Sequence, residues 1–272
     1  KVVISGGGTG GHIFPAIAIA KAIERQVGDV EFLFVGAEDR MEMEKVPNAG
    51  YKIIGLWISG FQRGWNKRNL WFPFKVLYSI CSAKKITKDF KPDLAIGTGG
   101  YASAPLLYVA AKSGVSCLIQ EQNSYPGITN KILAKYVQKI CVAYDKMERF
   151  FPQAKLVITG NPIREDILGF KSKRKEGGQL FEIDESKPTV LVIGGSLGAL
   201  TINNAIAEGI HKLKHTGVNL IWQTGASYQD KAHKFIKDVN VKGINAYTFI
   251  KEMDRAYAAA DIIISFSISI GD

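Results

Sequence analysis

Short runs of β-branched and apolar residues punctuate the chain. Each is closed by glycine, serine or threonine, as buried strands of a parallel sheet are. In the first half they are Val2–Ser5, Glu31–Val35, Lys52–Leu56, Leu94–Gly97, Ser116–Ile119, Ile140–Ala143 and Leu156–Thr159. Between them Ala16–Arg25, Leu70–Asp89, Ala104–Ser113 and Thr129–Tyr136 repeat their apolar positions with a helical period. This alternation predicts a parallel sheet with helices on both faces. Asn161–Pro188 breaks the pattern with charges, Gly177–Gly178 and a closing proline, which predicts an interdomain connection and a first helix. The pattern then restarts, with strands at Thr189–Gly195, Asn219–Gln223, Ile244–Phe249 and Ile262–Ser265. Helices are expected at Thr201–Leu213, Ser227–Val239 and Asp254–Ala260. The expected fold is α/β, two doubly wound Rossmann-like domains facing a cleft, residues 1–163 and 164–272. Four strands leave the second sheet uncovered, so this domain is expected to be truncated. Lys1 in place of an initiator Met predicts a loss at the other end too.

The first strand leads directly into Gly6-Gly7-Gly8-Thr9-Gly10-Gly11-His12. Glycines let the backbone turn sharply and approach a ligand, and the helix that follows favours anions at its N-terminus. Five glycines in six positions exceed what a structural turn requires. The run also fits the dinucleotide fingerprint, whose ribose-binding acid belongs at the end of the second strand. Glu38 is the nearest candidate and comes late, after Gly36-Ala37. Gly97-Thr98-Gly99-Gly100-Tyr101 and Gly194-Gly195-Ser196-Leu197-Gly198-Ala199 are further glycine turns after strands. Three such loops in two domains suit a site that grips phosphorylated ligands from both sides. The last also fits a hydrolase nucleophile elbow, but His211, His215 and His233 lie in Lys-rich, solvated-looking helices. His12 closes the first loop and is expected to face the ligand, where a neutral imidazole serves as general base. The polar run Gln120-Glu121-Gln122-Asn123-Ser124 offers paired donors and acceptors for sugar hydroxyls at a strand's carboxyl end. No Asp-x-Asp pair or His/Cys cluster has metal-ligand spacing.

Charge changes the picture in one region. The chain carries a net +10, and eight basic residues against Asp89 between Phe61 and Lys91 supply +7 of it. Trp57, Phe61, Trp65, Trp71, Phe72 and Phe74 crowd among Arg63, Lys67, Arg68 and Lys75. Basic and bulky apolar residues together predict a surface that lies on anionic lipid. The alternatives are a core stripe through Leu70, Phe74, Leu77 and Cys81, or a nucleic-acid groove. The longest charge-free stretches, Leu94–Ala111 and Thr189–Ala207, are broken by Gly, Ser, Pro or Asn, so no membrane-spanning helix is expected. No export leader is visible, and Cys81, Cys117 and Cys141 are few and widely spaced. These features predict a soluble cytosolic chain with structural thiols.

Taken together, the motifs resemble those of the MurG family of glycosyltransferases. Ser5–Ala16 is similar to the family's first glycine loop. Gly97–Tyr101 with Ser103 and Pro105, Glu121-Gln122-Asn123 with Pro126-Gly127 and Thr129-Asn130-Lys131, and Thr159–Arg164 follow in the family's order. So do Gly194–Ala199, Phe249–Met253, Ala256-Tyr257 and Ala260-Asp261, whereas Phe266–Asp272 departs from the pattern. The resemblance implies a GT-B fold whose N-terminal domain takes a lipid-linked acceptor and whose C-terminal domain takes the nucleotide sugar. It implies an inverting, metal-independent transfer of N-acetylglucosamine from UDP-GlcNAc to the muramoyl 4-hydroxyl of undecaprenyl-linked muramoyl-pentapeptide. No cofactor is implied. Thr9, Gly10, Gly11, Asn123, Arg164, Ser196 and Ile250 would contact UDP-GlcNAc, and His12 would be the base. Arg63, Lys67, Arg68, Trp71, Phe74 and Lys75 would form the membrane patch. The partners expected are these two substrates and an anionic membrane surface, without nucleic acid, at the cytoplasmic face of the bacterial inner membrane. The competing readings are a dinucleotide-dependent oxidoreductase and a non-catalytic, membrane-associated nucleotide-binding module.

Overall fold

A computed structural model describes residues 1–60, 71–163, 170–194, 199–213 and 216–265. The chain divides into two compact units, residues 1–164 and 165–268. In the first, seven parallel strands are β1 (Val2–Gly6), β2 (Phe32–Ala37), β3 (Ile53–Leu56), β4 (Leu94–Gly99), β5 (Ser116–Glu121), β6 (Lys139–Val142) and β7 (Leu156–Ile158). Their order is β3-β2-β1-β4-β5-β6-β7, so the direction of winding reverses between β1 and β4. Successive side chains of a strand point to opposite faces, and here both faces are covered. Val3 and Val35 pack into one core with Leu106 and Ile119, while their neighbours Ile4 and Phe34 pack into another with Ile13 and Ile96. Double coverage is why these strands read as unbroken apolar runs.

The helices of this unit are α1 (Gly10–Val27), α2 (Glu42–Asn48), α3 (Phe72–Phe90), α4 (Ser103–Lys112) and α5 (Ile128–Leu133). Three of them correct the expectations. Helix α1 begins at Gly10 rather than Ala16 and carries Pro15 inside it. Glycine and proline weaken a helix in isolation, but tertiary contacts override propensity, and the Thr98 hydroxyl donates to the His12 carbonyl at 2.7 Å. Helix α2 was not foreseen, and α5 ends at Leu133 because the next three residues form a turn. Strands β4 and β5 each run two residues further than expected, to Gly99 and Glu121.

The second unit has parallel strands β8 (Thr189–Ile193), β9 (Asn219–Gln223), β10 (Ile244–Tyr247) and β11 (Ile262–Ser265), in the order β10-β9-β8-β11. Helices α6 (Arg174–Leu180), α7 (Leu200–Leu213), α8 (Gln229–Val239) and α9 (Met253–Ala259) accompany them. Trp222 is fully buried and its indole N–H donates to Asn203 Oδ1 at 2.9 Å, which satisfies the one polar group of that side chain. β11 lies at a sheet edge, with Ile262, Ile263 and Ile264 exposed. All three cysteines are free thiols, and burial pushes the Cys117 thiol up to about 11. Among the described residues, no helix is long and apolar enough to cross a membrane.

Candidate active site

In an open α/β sheet, ligands bind beyond the carboxyl ends of the strands where the winding reverses. That position here is the end of β1 beside the end of β4. A cavity of about 210 Å³ lies there, lined by Gly7, Gly8, Thr9 and His12 on one side and Gly99, Gly100 and Tyr101 on the other. Glu121, Gly127, Thr129 and Asn130 complete it.

His12 is held by its ring. Nδ1 lies 3.0 Å from the Gly7 carbonyl and 3.3 Å from the Thr9 hydroxyl. A carbonyl can only accept, so Nδ1 is the donor, and in the neutral ring this leaves the lone pair on Nε2. Among the described residues Nε2 has no hydrogen-bond partner. Gly99 closes in behind the ring: a Cβ there would stand 2.9 Å from Nε2 and 2.7 Å from Cδ2, and its φ of +102° already favours glycine. Ser103 secures this junction by donating to the carbonyls of both Ser5 and Gly99, each at 2.8 Å.

Two buried carboxylates support the loops. Glu121, expected in a ligand-facing polar loop, is instead the last residue of β5 and is buried. It accepts from the Asn123 N–H and side-chain amide, the Gly127 N–H and Asn130 Nδ2, at 2.9–3.1 Å. Four donors saturate it, so Glu121 shapes the loop more than it offers acceptors to a sugar. Asn130 is also buried, and its Nδ2 is fixed by Glu121 and the Gln120 carbonyl. Its Oδ1 is buried and has no partner among the described residues.

The other carboxylate is Glu42, fully buried at the start of α2. It accepts from the Gly8 and Ala37 N–H groups, each at 3.0 Å. Any side chain at Gly7 would collide with its Oε1. Sequence reasoning missed this residue along with the helix that carries it. The signal available was the side-chain-free space left by Gly7 and Gly36 at the ends of neighbouring strands. Glu42 also bears on the dinucleotide reading. β2 runs to Ala37, so Glu38 follows the strand directly and is not late after all. The Gly8 N–H, however, is already spent on a buried carboxylate, which puts negative charge where a pyrophosphate would need donors.

Of the residues expected to meet the nucleotide sugar, Thr9, Gly10 and Gly11 form the end of the first loop and the start of α1. Asn123 is exposed beyond β5. Ile250, in the second unit, is buried and donates its N–H to Gln223 Oε1 at 2.9 Å. Arg164 and Ser196 lie outside the described residues.

On α3, Phe74 and Leu77 are 61% and 63% exposed and Cys81 is exposed too, so these three are not core. Leu70 lies outside the described residues, and Trp71, just before the helix, is 58% exposed. The side of α3 that packs inward presents Ser79, Ala83, Ile86 and Thr87. Lys75 is partly engaged within the protein, 3.1 Å from the Ser59 hydroxyl and 5.3 Å above the Trp57 ring. Arg63, Lys67 and Arg68 lie outside the described residues.

The glycine loops that end β1 and β4 belong to a glycosyltransferase. The family model for the glycosyltransferase family 28 N-terminal domain matches residues 2–142, and that for its C-terminal domain matches residues 189–267. The chain is 54% identical over 265 residues to the UDP-N-acetylglucosamine–N-acetylmuramyl-(pentapeptide) pyrophosphoryl-undecaprenol N-acetylglucosamine transferase of Cytophaga hutchinsonii. That match covers 97% of this chain and 71% of the relative. The crystal structure of Acinetobacter baumannii MurG superposes with a TM-score of 0.70 at 29% identity, over 97% of this chain and 72% of that one. A UDP-GlcNAc 2-epimerase from Neisseria meningitidis, 16% identical with a TM-score of 0.69 over 98% of this chain and 78% of its own, shares the fold. The chain belongs to glycosyltransferase family 28 and, within it, to the MurG transferases.

Proposed function

We propose that this chain transfers N-acetylglucosamine from UDP-GlcNAc to the muramyl sugar of a pyrophosphoryl-undecaprenol-linked pentapeptide, a step of peptidoglycan synthesis. The observation that carries the chemistry is a His12 Nε2 without a hydrogen-bond partner among the described residues, in the cavity between the two glycine loops. The muramoyl 4-hydroxyl attacks the anomeric carbon while its proton passes to Nε2, and UDP leaves from the opposite face with inversion. The imidazolium that forms keeps its Nδ1–H on the Gly7 carbonyl. The lipid-linked acceptor is read onto the first unit and the nucleotide sugar chiefly onto the second. There Ile250 has its N–H internally bonded, so its carbonyl is the group it can offer. Arg164 and the residues around Ser196 supply donors and positive potential to the departing diphosphate, without a metal. Docking is peripheral, at the cytoplasmic membrane face, through the α3 patch.

The test is transfer of labelled N-acetylglucosamine to a lipid-linked acceptor by the intact enzyme, with NADH binding measured alongside. Transfer without NADH binding is expected; binding of NADH without transfer would return the oxidoreductase. Arg164→Ala should weaken UDP binding by about 1.5–3 kcal/mol, the worth of a charge-assisted hydrogen bond. EDTA should leave the rate unchanged, and strong inhibition by it would overturn the metal-free mechanism.

A further inference from the structure

Glu42 and His12 hold the two ends of one peptide group. The unit between Gly7 and Gly8 gives its N–H to Glu42 Oε2 and its C=O to His12 Nδ1, each at 3.0 Å. The second Glu42 oxygen accepts from Ala37, the last residue of β2, so the carboxylate is anchored to the sheet rather than to the loop alone. It is wholly buried, and among the described residues no cation is paired with it. Burying a charged group without a counter-ion is costly, and two backbone N–H bonds offset only part of that cost. A neutral side chain could fill the same space, so the expense points to a use.

We propose that Glu42 is a positioning residue that fixes the tautomer of His12 through the Gly7–Gly8 peptide. A carboxylate on the amide N–H draws that proton and makes the carbonyl at the other end a stronger acceptor, because bonds in a chain polarise one another. The stronger acceptor holds the proton on His12 Nδ1 and leaves Nε2 free to take one. As the imidazolium forms, the same relay lowers its energy. The arrangement does through a peptide what a carboxylate does directly in a Ser-His-Asp triad. Carboxylate, peptide and ring are closely packed: a side chain at Gly7 would strike Glu42 and one at Gly99 would crowd the ring. The inference rests on His12 being the base.

The experiment combines nitrogen NMR of histidine-labelled protein with kinetics of the intact enzyme. His12→Gln assigns the His12 resonances. The parent should show a neutral ring with the proton on Nδ1. In Glu42→Gln the amide can accept from only one of the two N–H groups and sets its own donors against the other. The His12 ring should then become a mixture of tautomers, with kcat down about 10- to 100-fold, a fraction of what a general base is worth. KM for both substrates should stay nearly constant, since the loss falls on the transition state. A role confined to loop stability would change the melting temperature or KM and leave the tautomer alone. A parent ring protonated on Nε2 overturns the proposal without any variant, so a Glu42→Gln protein that fails to fold cannot shelter it. An unchanged tautomer and kcat in Glu42→Gln overturns it equally. Near-normal turnover in His12→Ala would instead remove the base while leaving the tautomer's dependence on Glu42 intact, which keeps the two failures apart.

Discussion

His12→Ala should lower turnover by about 10²–10⁴-fold, the usual worth of a positioned general base, while affinity for UDP should stay near the parental value. The size of the effect follows from the lack of a substitute. Five of the cavity's eleven lining residues are glycine. Its one lining carboxylate, Glu121, is committed to four N–H donors, and Glu42, buried behind the first loop, to two. Neither can take over proton abstraction without abandoning the loop it holds. Tyr101 also lines the cavity, but a phenol is a poor acceptor of a hydroxyl proton near neutral pH. The selectivity for turnover over UDP binding follows from His12 standing in the first unit, on the acceptor's side of the proposed division. Single-turnover rates at saturating UDP-GlcNAc, with UDP affinity by calorimetry, make the check. A variant that turns over like the parent would take His12 out of the base role.

The location of this site was legible in the sequence, but its construction was not. Val2–Gly6 and Leu94–Gly99 announce themselves because both faces of the sheet are buried, which leaves apolar runs that end in glycine. A reading by composition goes wrong where a residue's environment is set by distant parts of the chain. Glu42 and Glu121 are charged and so look like solvent or ligand groups, yet both are buried under backbone donors from neighbouring segments. Helix α1 starts among glycines, where Thr98 of β4 ties its first turn to the sheet. On α3 the apolar residues divide between two sides, and Ile80, Ala83 and Ile86 pack on the core. Phe74 and Leu77 point outward while Ser79, Ala83 and Thr87 turn inward, where small side chains let α3 pack closely on α4. Helical period alone finds the stripe; only the fold says which side of it faces water.

That outward stripe carries the other large expected effect. Changing Arg63, Lys67, Arg68 and Lys75 together to Gln should cut binding to anionic vesicles by up to about 10³-fold. Each cation near such a surface contributes about 1 kcal/mol, and four of them about 4 kcal/mol at most. Lys75 should give the least, since its ammonium is already shared between Ser59 and the face of Trp57. Trp71, Phe74 and Leu77 should add burial of apolar area, so some salt-resistant binding should persist in the variant. In the parent, affinity should fall as salt rises, because exposed charges are screened within about 10 Å at 0.1 M. UDP affinity should not change, and neither should activity on a water-soluble acceptor analogue. Activity on the bilayer-embedded acceptor should drop with vesicle binding, since an undecaprenyl chain cannot leave the membrane and the enzyme must come to it. A quadruple variant that sediments with anionic vesicles like its parent would move the docking surface elsewhere on the molecule.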